Sequence, residues 1–566
     1  MASKLSRFLA ELKRRKVYHV ALAYVVVGTI LGGAANDFLP RLDAPEWAVN
    51  VIIFLILIGF PIALVLAWAY EVRPEEPPAD AASMAEPARK PGPAQVLPAP
   101  PGDTRKSIVV LPFDNMSPDP GDAYFSDGLT EELIAELSGI RDLRVISRTT
   151  AMKLKGSDKD IGAIARELNV QYVLEGSVRK AGDDLRITAQ LIDAGTDDHI
   201  GAERYSGTMD DVFGIQERLA RDIVEALKVS LSPEEQGRLS KPRITNPLAF
   251  ECYLRARQYL AQFTAEGEDR ATDLLEKALE IEGPNELLYT TMGFAHTQYS
   301  FGAKSEDVIR KEAERWAAKA LEVNPRSNGA RVLQGITLFH EGRTQEALLR
   351  MKEVLRSDPD DERALFWCGG ITGWSGHIKA SRSYYERLAA VDPMTGGINP
   401  SWFAFYSGDF EQAVEGYRAE WELNRESPYA RWAHGHTLAA AGHIEEACEV
   451  LTWIVEDTPD TWFALFARFF VAALREDRVG ARAAMTPEFE AGAKRDMQTS
   501  WIVASCYARL GMVDEAVTWL RQAMNRGFVH YPFLAEYEPF LARIRSEPPV
   551  QAVLKEIKDR WEAFEP

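Results

Sequence analysis

Five carboxylates crowd one stretch of the chain, Asp119, Asp122, Asp127, Glu131 and Glu132, and a cluster of hard oxygen donors is what a calcium or magnesium ion requires. Their spacing departs from the EF-hand loop. Asp127 with Glu131 and Glu132 is better placed to cap the start of a helix, where negative charge meets unbonded amides. In Ala433-His-Gly-His-Thr437 two imidazoles stand two residues apart, and histidine is a common zinc ligand. On a helix those rings point to different sides, so His434 and His436 read as structural. Arg179-Lys180-Ala-Gly-Asp-Asp184 places two cations beside a glycine, as a phosphate site would, but reads as the exposed tip of a hairpin. Phosphate-loop, nucleophile-elbow, zinc-protease and kinase motifs do not occur. No catalytic residue, metal ligand or cofactor is expected, and the chain is not expected to be an enzyme.

What would hold such residues is a repeat. Ala271, Ala313, Ala347, Ser381, Ala413, Ala447, Ala481 and Ala516 are separated by 42, 34, 34, 32, 34, 34 and 35 residues. A period near 34 predicts an all-α superhelical solenoid of paired helices. Gly342, Gly376, Gly408, Gly442 and Gly511 each lie five residues before one of those small positions, where glycine ends a helix. Pro325, Pro359, Pro393 and Pro459 lie twelve after, at an exit turn. Gly335, Gly369, Ser401, Gly435 and Ala504, twelve before, supply the other side of a close helix contact. The unit around Ala481 lacks the usual Gly and Pro. This spacing resembles the tetratricopeptide repeat over Asn246 to Leu541, in about eight units. Most of these residues define a scaffold, so function is sought in the groove, where some of the tryptophans Trp367, Trp374, Trp402, Trp421, Trp432, Trp453, Trp462 and Trp501 are expected to meet a peptide. Val550 to Phe564 reads as a capping helix that closes the end of the solenoid.

The remaining third differs. Residues 1–16 form a basic amphipathic segment, with Leu5, Phe8, Leu9 and Leu12 at helical spacing, suited to an anionic inner leaflet. Val17–Ala35 and Trp47–Tyr70 are apolar runs of 19 and 24 residues, each long enough to span a bilayer. Gly28 with Gly32, and Gly59 with Ala63, are small pairs that let the two spans approach each other, in preference to joining two chains. Six Lys and Arg residues precede the first span and only Arg41 lies between the spans, so both ends are expected in the cytoplasm of a bacterial inner-membrane protein. Four cysteines without a Cys-x-x-Cys, Cys252, Cys368, Cys448 and Cys506, agree with a reducing compartment. Residues 71–106 read as a Pro/Ala-rich linker.

Residues 107–231 predict a small α/β domain with a mixed sheet: strands at Ser107–Phe113, Leu143–Ile146, Val173–Val178, Leu185–Ile192 and His199–Tyr205, and helices at Leu129–Leu137, Ile161–Leu168 and Val212–Val229. Within it, Val109-Val-Leu-Pro-Phe-Asp-Asn115, Tyr124-Phe-Ser-Asp-Gly-Leu-Thr-Glu-Glu132, Tyr172-Val-Leu-Glu-Gly-Ser-Val-Arg179 and Leu185-Arg-Ile-Thr-Ala-Gln-Leu-Ile-Asp193 resemble the TolB-N-terminal-like (FlgO-like) domain of bacteria. The membrane hairpin and Glu538-Pro-Phe-Leu-Ala-Arg-Ile-Arg-Ser-Glu547 are similar to segments of its membrane-bound members. In that family the domain is often joined to tetratricopeptide repeats, and sometimes to a class III adenylate cyclase or a winged helix. The resemblance implies an architecture and carries no catalytic residue across.

With 84 acidic against 65 basic side chains and a net charge of -19, nucleic acid is not an expected partner and a basic or neutral protein or peptide is. Three functions follow in order of preference. They are a membrane-anchored scaffold or adaptor, a signalling regulator whose α/β domain senses a small ligand, and a cyclase-related enzyme. The sequence names neither the partner nor the oligomeric state.

Overall fold

The computed structural model describes residues 105–157, 159–239, 241–261, 264–298, 306–394, 400–425, 427–459 and 461–566. The basic segment 1–16, the spans 17–35 and 47–70 with Gly28, Gly32, Gly59 and Ala63, and all but the last two residues of the linker lie outside them. Among the described residues no helix is long and apolar enough to cross a membrane.

The α/β domain is built on a mixed sheet of β1 (Lys106–Val110), β2 (Asp114–Asn115), β3 (Leu143–Val145), β4 (Tyr172–Ala181), β5 (Asp184–Asp193) and β6 (Asp198–Thr208), in the order β3-β1-β4-β5-β6 with β2 on β4. The β1–β3, β1–β4 and β2–β4 pairings are parallel, and β4–β5–β6 is an antiparallel meander. Ile108, Val109 and Val110 are fully buried, as a strand covered on both faces should be. The strand expected to run to Phe113 stops at Val110. Pro112 has no N–H to give to a ladder, and the Phe113 amide donates instead to Thr130 Oγ1 at 3.0 Å.

Helix α1 (Ala123–Ser138) begins six residues before the expected Leu129. A short turn capped by Asp119, whose Oδ1 accepts the Gly121 amide at 2.8 Å, leads into it. Asp127-Gly128, which looks like a turn, is instead the point where another helix crosses: a Cβ at Gly128 would stand 2.6 Å from Leu254. Helices α2 (Arg148–Lys153), α3 (Ile161–Leu168) and α4 (Val212–Ala226) complete the domain. Helix α5 (Pro233–Leu239), which the sequence reading passed over, follows with a reciprocal cap between Ser232 and Glu235.

From Pro247 the chain is a stack of antiparallel helix pairs. They are α6 (Pro247–Leu260) with α7 (Ala265–Glu282), α8 (Glu286–Gln298) with α9 (Glu306–Val323), α10 (Asn328–His340) with α11 (Thr344–Ser357), and α12 (Glu362–Trp374) with α13 (Ile378–Val391). There follow α14 (Pro400–Tyr406) with α15 (Phe410–Leu423), α16 (Pro428–Ala440) with α17 (Ile444–Asp457), α18 (Trp462–Leu474) with α19 (Arg478–Ala484), and α21 (Met497–Arg509) with α22 (Val513–Asn525). The odd pair is the one around Ala481, whose second helix breaks into α19 and α20 (Pro487–Ala493). The whole is a tetratricopeptide-like superhelix.

The stack curls tightly enough that its last pair meets earlier ones. Trp501 of α21 lies 6.2 Å from Phe405, 6.0 Å from Tyr406 and 5.8 Å from His436, centroid to centroid. After α22, Phe533 packs on the same Phe405 and Tyr406. Helix α23 (Pro548–Ala563) buries Val550, Val553, Leu554 and Ile557 beside α22. It does more than close the end, because its last turn runs back to the α12–α13 turn, where Trp561 and Phe564 stack on His377.

Candidate functional site

Asp127, Glu131 and Glu132 do not cap a helix start, because α1 has already begun at Ala123. Asp127 receives Lys155 Nζ at 2.6 and 2.7 Å. Glu131 and Glu132 are 7% and 6% exposed and face the repeats. Glu131 pairs with Arg148 of α2 and, at 2.7 Å, with Arg257 of α6. Arg257 also donates to Tyr253 Oη at 2.9 Å, and Tyr253 donates on to Glu132 at 2.9 Å. Asp122 meets Lys180 at 3.2 Å. Lys180, expected at an exposed hairpin tip, folds back so that its ammonium bonds Tyr124 Oη at 2.9 Å and lies 3.8 Å from Glu251. Burial works against charge on Lys180, and Tyr124 and Glu251 override it to hold the pKa up. In place of the expected helix cap, the cluster contributes to a seam of ion pairs and hydrogen bonds between α1 and α6.

A second seam joins β3 and the start of α2 to the end of α13. Arg144 Nη1 donates to Ala390 O at 2.6 Å, and the Ser147 amide donates to Val391 O at 2.6 Å. The hydroxyls of Ser147 and Thr150 donate to Asp392 Oδ1 at 2.7 and 2.6 Å. Arg105 pairs with Asp360. Beside this seam Glu362 has its pKa pushed up to about 7 by burial first and then by Asp392. No local pattern announces contacts between residues about 245 apart in sequence, and none of these residues was singled out beforehand.

His434 stacks on Trp421 at 5.4 Å, while His436 sits among Phe405, Trp432, Phe470 and Trp501. Burial lowers both pKa values to about 4, with Arg418 adding to the effect at His434. They are neutral packing rings aimed apart. Among the described residues no three His, Cys, Asp or Glu side chains gather to hold a metal ion. The four cysteines are buried free thiols, and burial pushes Cys368 up to about 12.

The repeat-phase residues fall in one structural role each. Ala271, Ala313, Ala347, Ser381, Ala413, Ala447, Ala481 and Ala516 are at most 1% exposed, on the second helix of each pair. Gly342, Gly376, Gly408, Gly442 and Gly511 turn between the paired helices with φ of 79, 81, 82, 91 and 67°. Glu476 occupies the same place with φ 55°. At Gly335 an added Cβ would meet the end of Met351 at 2.5 Å, and at Gly369 the Tyr385 ring at 2.6 Å. A further row keeps the same phase: Ser327, Asp361, Ser427, Thr461 and Asp496 each cap the first helix of a pair. Its signal was present, as Pro325, Pro359 and Pro459 each stand two residues before a cap.

Of the eight tryptophans expected to include groove-lining side chains, Trp402, Trp432 and Trp501 are buried and the other five are half-buried. A cavity of about 400 Å³ lies beside α9, α10 and α11. Glu314, Glu341, Glu346 and Glu353 line it against Arg343 and Arg350, so acidic groups outnumber basic ones. Arg343 is shared between Glu341 at 3.1 Å and Glu346 at 2.6 Å.

Comparison with known proteins bears on the α/β domain. Residues 104–219 match the family described as HilA/YgeH-like transcriptional regulator, second domain. A protein of Rhizobium meliloti (strain 1021) named "Putative adenylate cyclase 3" is 42% identical over 215 residues, 38% of this chain and 34% of that one. The match thus spans about a third of that relative's length. Among solved structures, a tetratricopeptide repeat protein from Parabacteroides merdae is similar at 13% identity, with 55% of this chain and 100% of that chain covered and a TM-score of 0.22. The yeast Tom70 structure is similar at 14% identity, 62% and 82% coverage and a TM-score of 0.32. At these scores the repeat assignment rests on the helix pairs and their phase, and the chain is similar to a regulator's α/β domain followed by tetratricopeptide-like repeats.

Proposed function

We propose that this protein is a membrane-anchored scaffold or adaptor whose repeat superhelix binds a basic segment of a protein partner, and that it is not an enzyme. The observation that carries this reading is the acid-lined cavity of α9 to α11 on a repeat architecture suited to peptide recognition. The apolar runs at 17–35 and 47–70, with the Lys and Arg residues that precede them, support an inner-membrane anchor with the folded domains on the cytoplasmic side. The α/β domain, here read as TolB-N-terminal-like, serves as a second docking surface fixed to the repeats.

Proximity labelling by the full-length protein should identify the partner, and calorimetric titration of that partner should then be compared between wild type and Glu346→Lys/Glu353→Lys. The scaffold reading expects the double variant to bind about tenfold or more weakly. Unchanged affinity, or turnover of a nucleotide by the purified full-length chain, contradicts it. A ligand-sensing regulator is the second reading. It is favoured by the direct ties from α1 and α2 to repeats far apart in the stack, which would carry a change in the α/β domain into the superhelix. The cyclase-related reading comes third and rests on the name of the Rhizobium relative.

A further inference from the structure

The buried apolar side chains do not follow the boundary between the α/β domain and the repeats. One continuous core runs from the sheet and α1 through Phe250 and Leu254 of α6, Leu275 of α7 and Met292 of α8 to Trp316 of α9. A second runs from Val332 of α10 to Phe564 near the end of the chain. The second body also closes on itself. A Cβ at Gly342, in the turn after α10, would stand 2.4 Å from the Asn525 carbonyl oxygen at the end of α22, and one at Gly527 would stand 2.3 Å from Thr344 of α11. The first two helix pairs lie outside that closure and share their core with the α/β domain instead.

Where the two bodies meet, the apolar packing is thin. Ala317 and Ala320 of α9 meet Ala330 and Leu333 of α10 in a small cluster of their own, and α8 approaches α10 through glycines, Gly293 under Leu333 and Gly329 under Thr290. Side chains this small remove little apolar surface from water. Phe294 of α8, half-buried with the Arg363 guanidinium 3.8 Å from its ring centroid, is a larger contact that crosses.

The other tie between the bodies is mainly polar, and it is the seam on Asp392. Beyond the bonds that Arg144, Ser147 and Thr150 give to Ala390, Val391 and Asp392, the Met394 amide donates back to Thr150 Oγ1 at 3.0 Å and Lys153 Nζ donates to Met394 O at 3.2 Å. The half-buried Met394 side chain rests on the α/β core. Parts of one chain joined by a polar interface are free to move relative to each other, whereas a shared apolar core holds its elements together. The acid-lined cavity lies on this joint. Glu314 belongs to α9, and the other lining residues belong to α10, α11 and the turn between them. Arg310 of α9 reaches across, 3.0 Å from Glu314 and 3.4 Å from Glu341.

We propose that the α/β domain with α6 to α9 moves as one body against α10 to α23 about the α9–α10 joint, and that the α2 seam on Asp392 is the latch that holds the joint closed and so fixes the walls of the acid-lined cavity. Whatever opens the seam changes the spacing of α9 from α10 and α11, and by the same free energy a partner that prefers one spacing biases the seam. The consequence for binding rests on the cavity being the partner site; the division into two bodies does not.

The test places nitroxide labels at Glu203→Cys on β6 and Val479→Cys on α19, both exposed positions, in the full-length protein, and measures the distance between them by pulsed electron paramagnetic resonance. With the latch intact a single narrow distribution is expected. Adding Asp392→Ala should shift its mean by about 5 Å or more, the scale of one helical turn. A distribution unchanged by Asp392→Ala, or one already broad with Asp392 in place, overturns the proposal. Hydrogen exchange on the wild-type chain gives a second measure should the variant fold poorly. Amides of 317–333, on either side of the joint, should exchange about tenfold or more faster than those of α7 and of α16, whereas equal protection across the joint overturns the proposal. Neither measurement uses a partner, so failure here leaves the Glu346→Lys/Glu353→Lys titration standing, and failure of that titration leaves the two-body division standing.

Discussion

Glu476 is the one non-glycine residue known to fill the turn position taken elsewhere in the stack by five glycines, and its φ of 55° places a Cβ in the left-handed region. Its carboxylate is exposed and only 3.6 Å from Arg543, a pair that contributes little. Replacing it with glycine should therefore stabilise the protein by about 1 kcal/mol, read as a higher denaturant midpoint. No change or a loss would mean that the turn is not strained. Glu362 makes the opposite kind of prediction. Burial, and then Asp392, raises its folded pKa to about 7 from an ordinary 4.5. Between those values the folded state holds a proton that the unfolded state has lost, so the stability contributed at low pH is lost as pH rises through the window. Glu362→Gln removes that titration. Its melting temperature relative to wild type should be near zero difference at pH 4.5 and clearly higher at pH 8, whereas a difference independent of pH would show that the carboxyl is not buried as described.

Helix pairs are set by what can approach their glycines. Gly335 and Gly369 share a phase, yet a methyl at Gly335 meets first the end of the unbranched Met351 side chain, while one at Gly369 meets the rigid ring of Tyr385. Gly335→Ala should be close to neutral and Gly369→Ala should cost about 1 to 3 kcal/mol, a contrast that thermal melts of the two variants can measure. This level of the structure was legible in the sequence because it is periodic: the small positions, the turn glycines and the exit prolines all recur near 34 residues. The missing Gly and Pro marked the unit around Ala481 as irregular, but not the break between α19 and α20, which falls before Pro487. The early start of α1 was hidden because Asp127-Gly128 is locally indistinguishable from a turn, and only the crossing of Leu254 explains the glycine. The second and third roles of residues such as Lys180, Asp392 and His377 were beyond any pattern, since their partners come from remote elements brought together by the curl of the stack.

At the scale of the molecule, the α/β domain and the repeats are bound by two seams, one of ion pairs through Glu131 and Arg257 and one of hydrogen bonds through Asp392. Arg257→Gln leaves the buried Glu131 with Arg148 alone and should cost about 3 kcal/mol. The loss should appear chiefly as faster hydrogen exchange in α1 and α6, and an unchanged exchange pattern there would show that the seam does not couple the two parts.

Hydrogen exchange of the full-length protein with and without its purified partner shows whether the repeats are the binding surface of the proposed scaffold. New protection is expected in α9, α10 and α11 around Glu314, Glu341 and Glu353. Protection confined to residues 107–231, or none in any repeat helix, would contradict it.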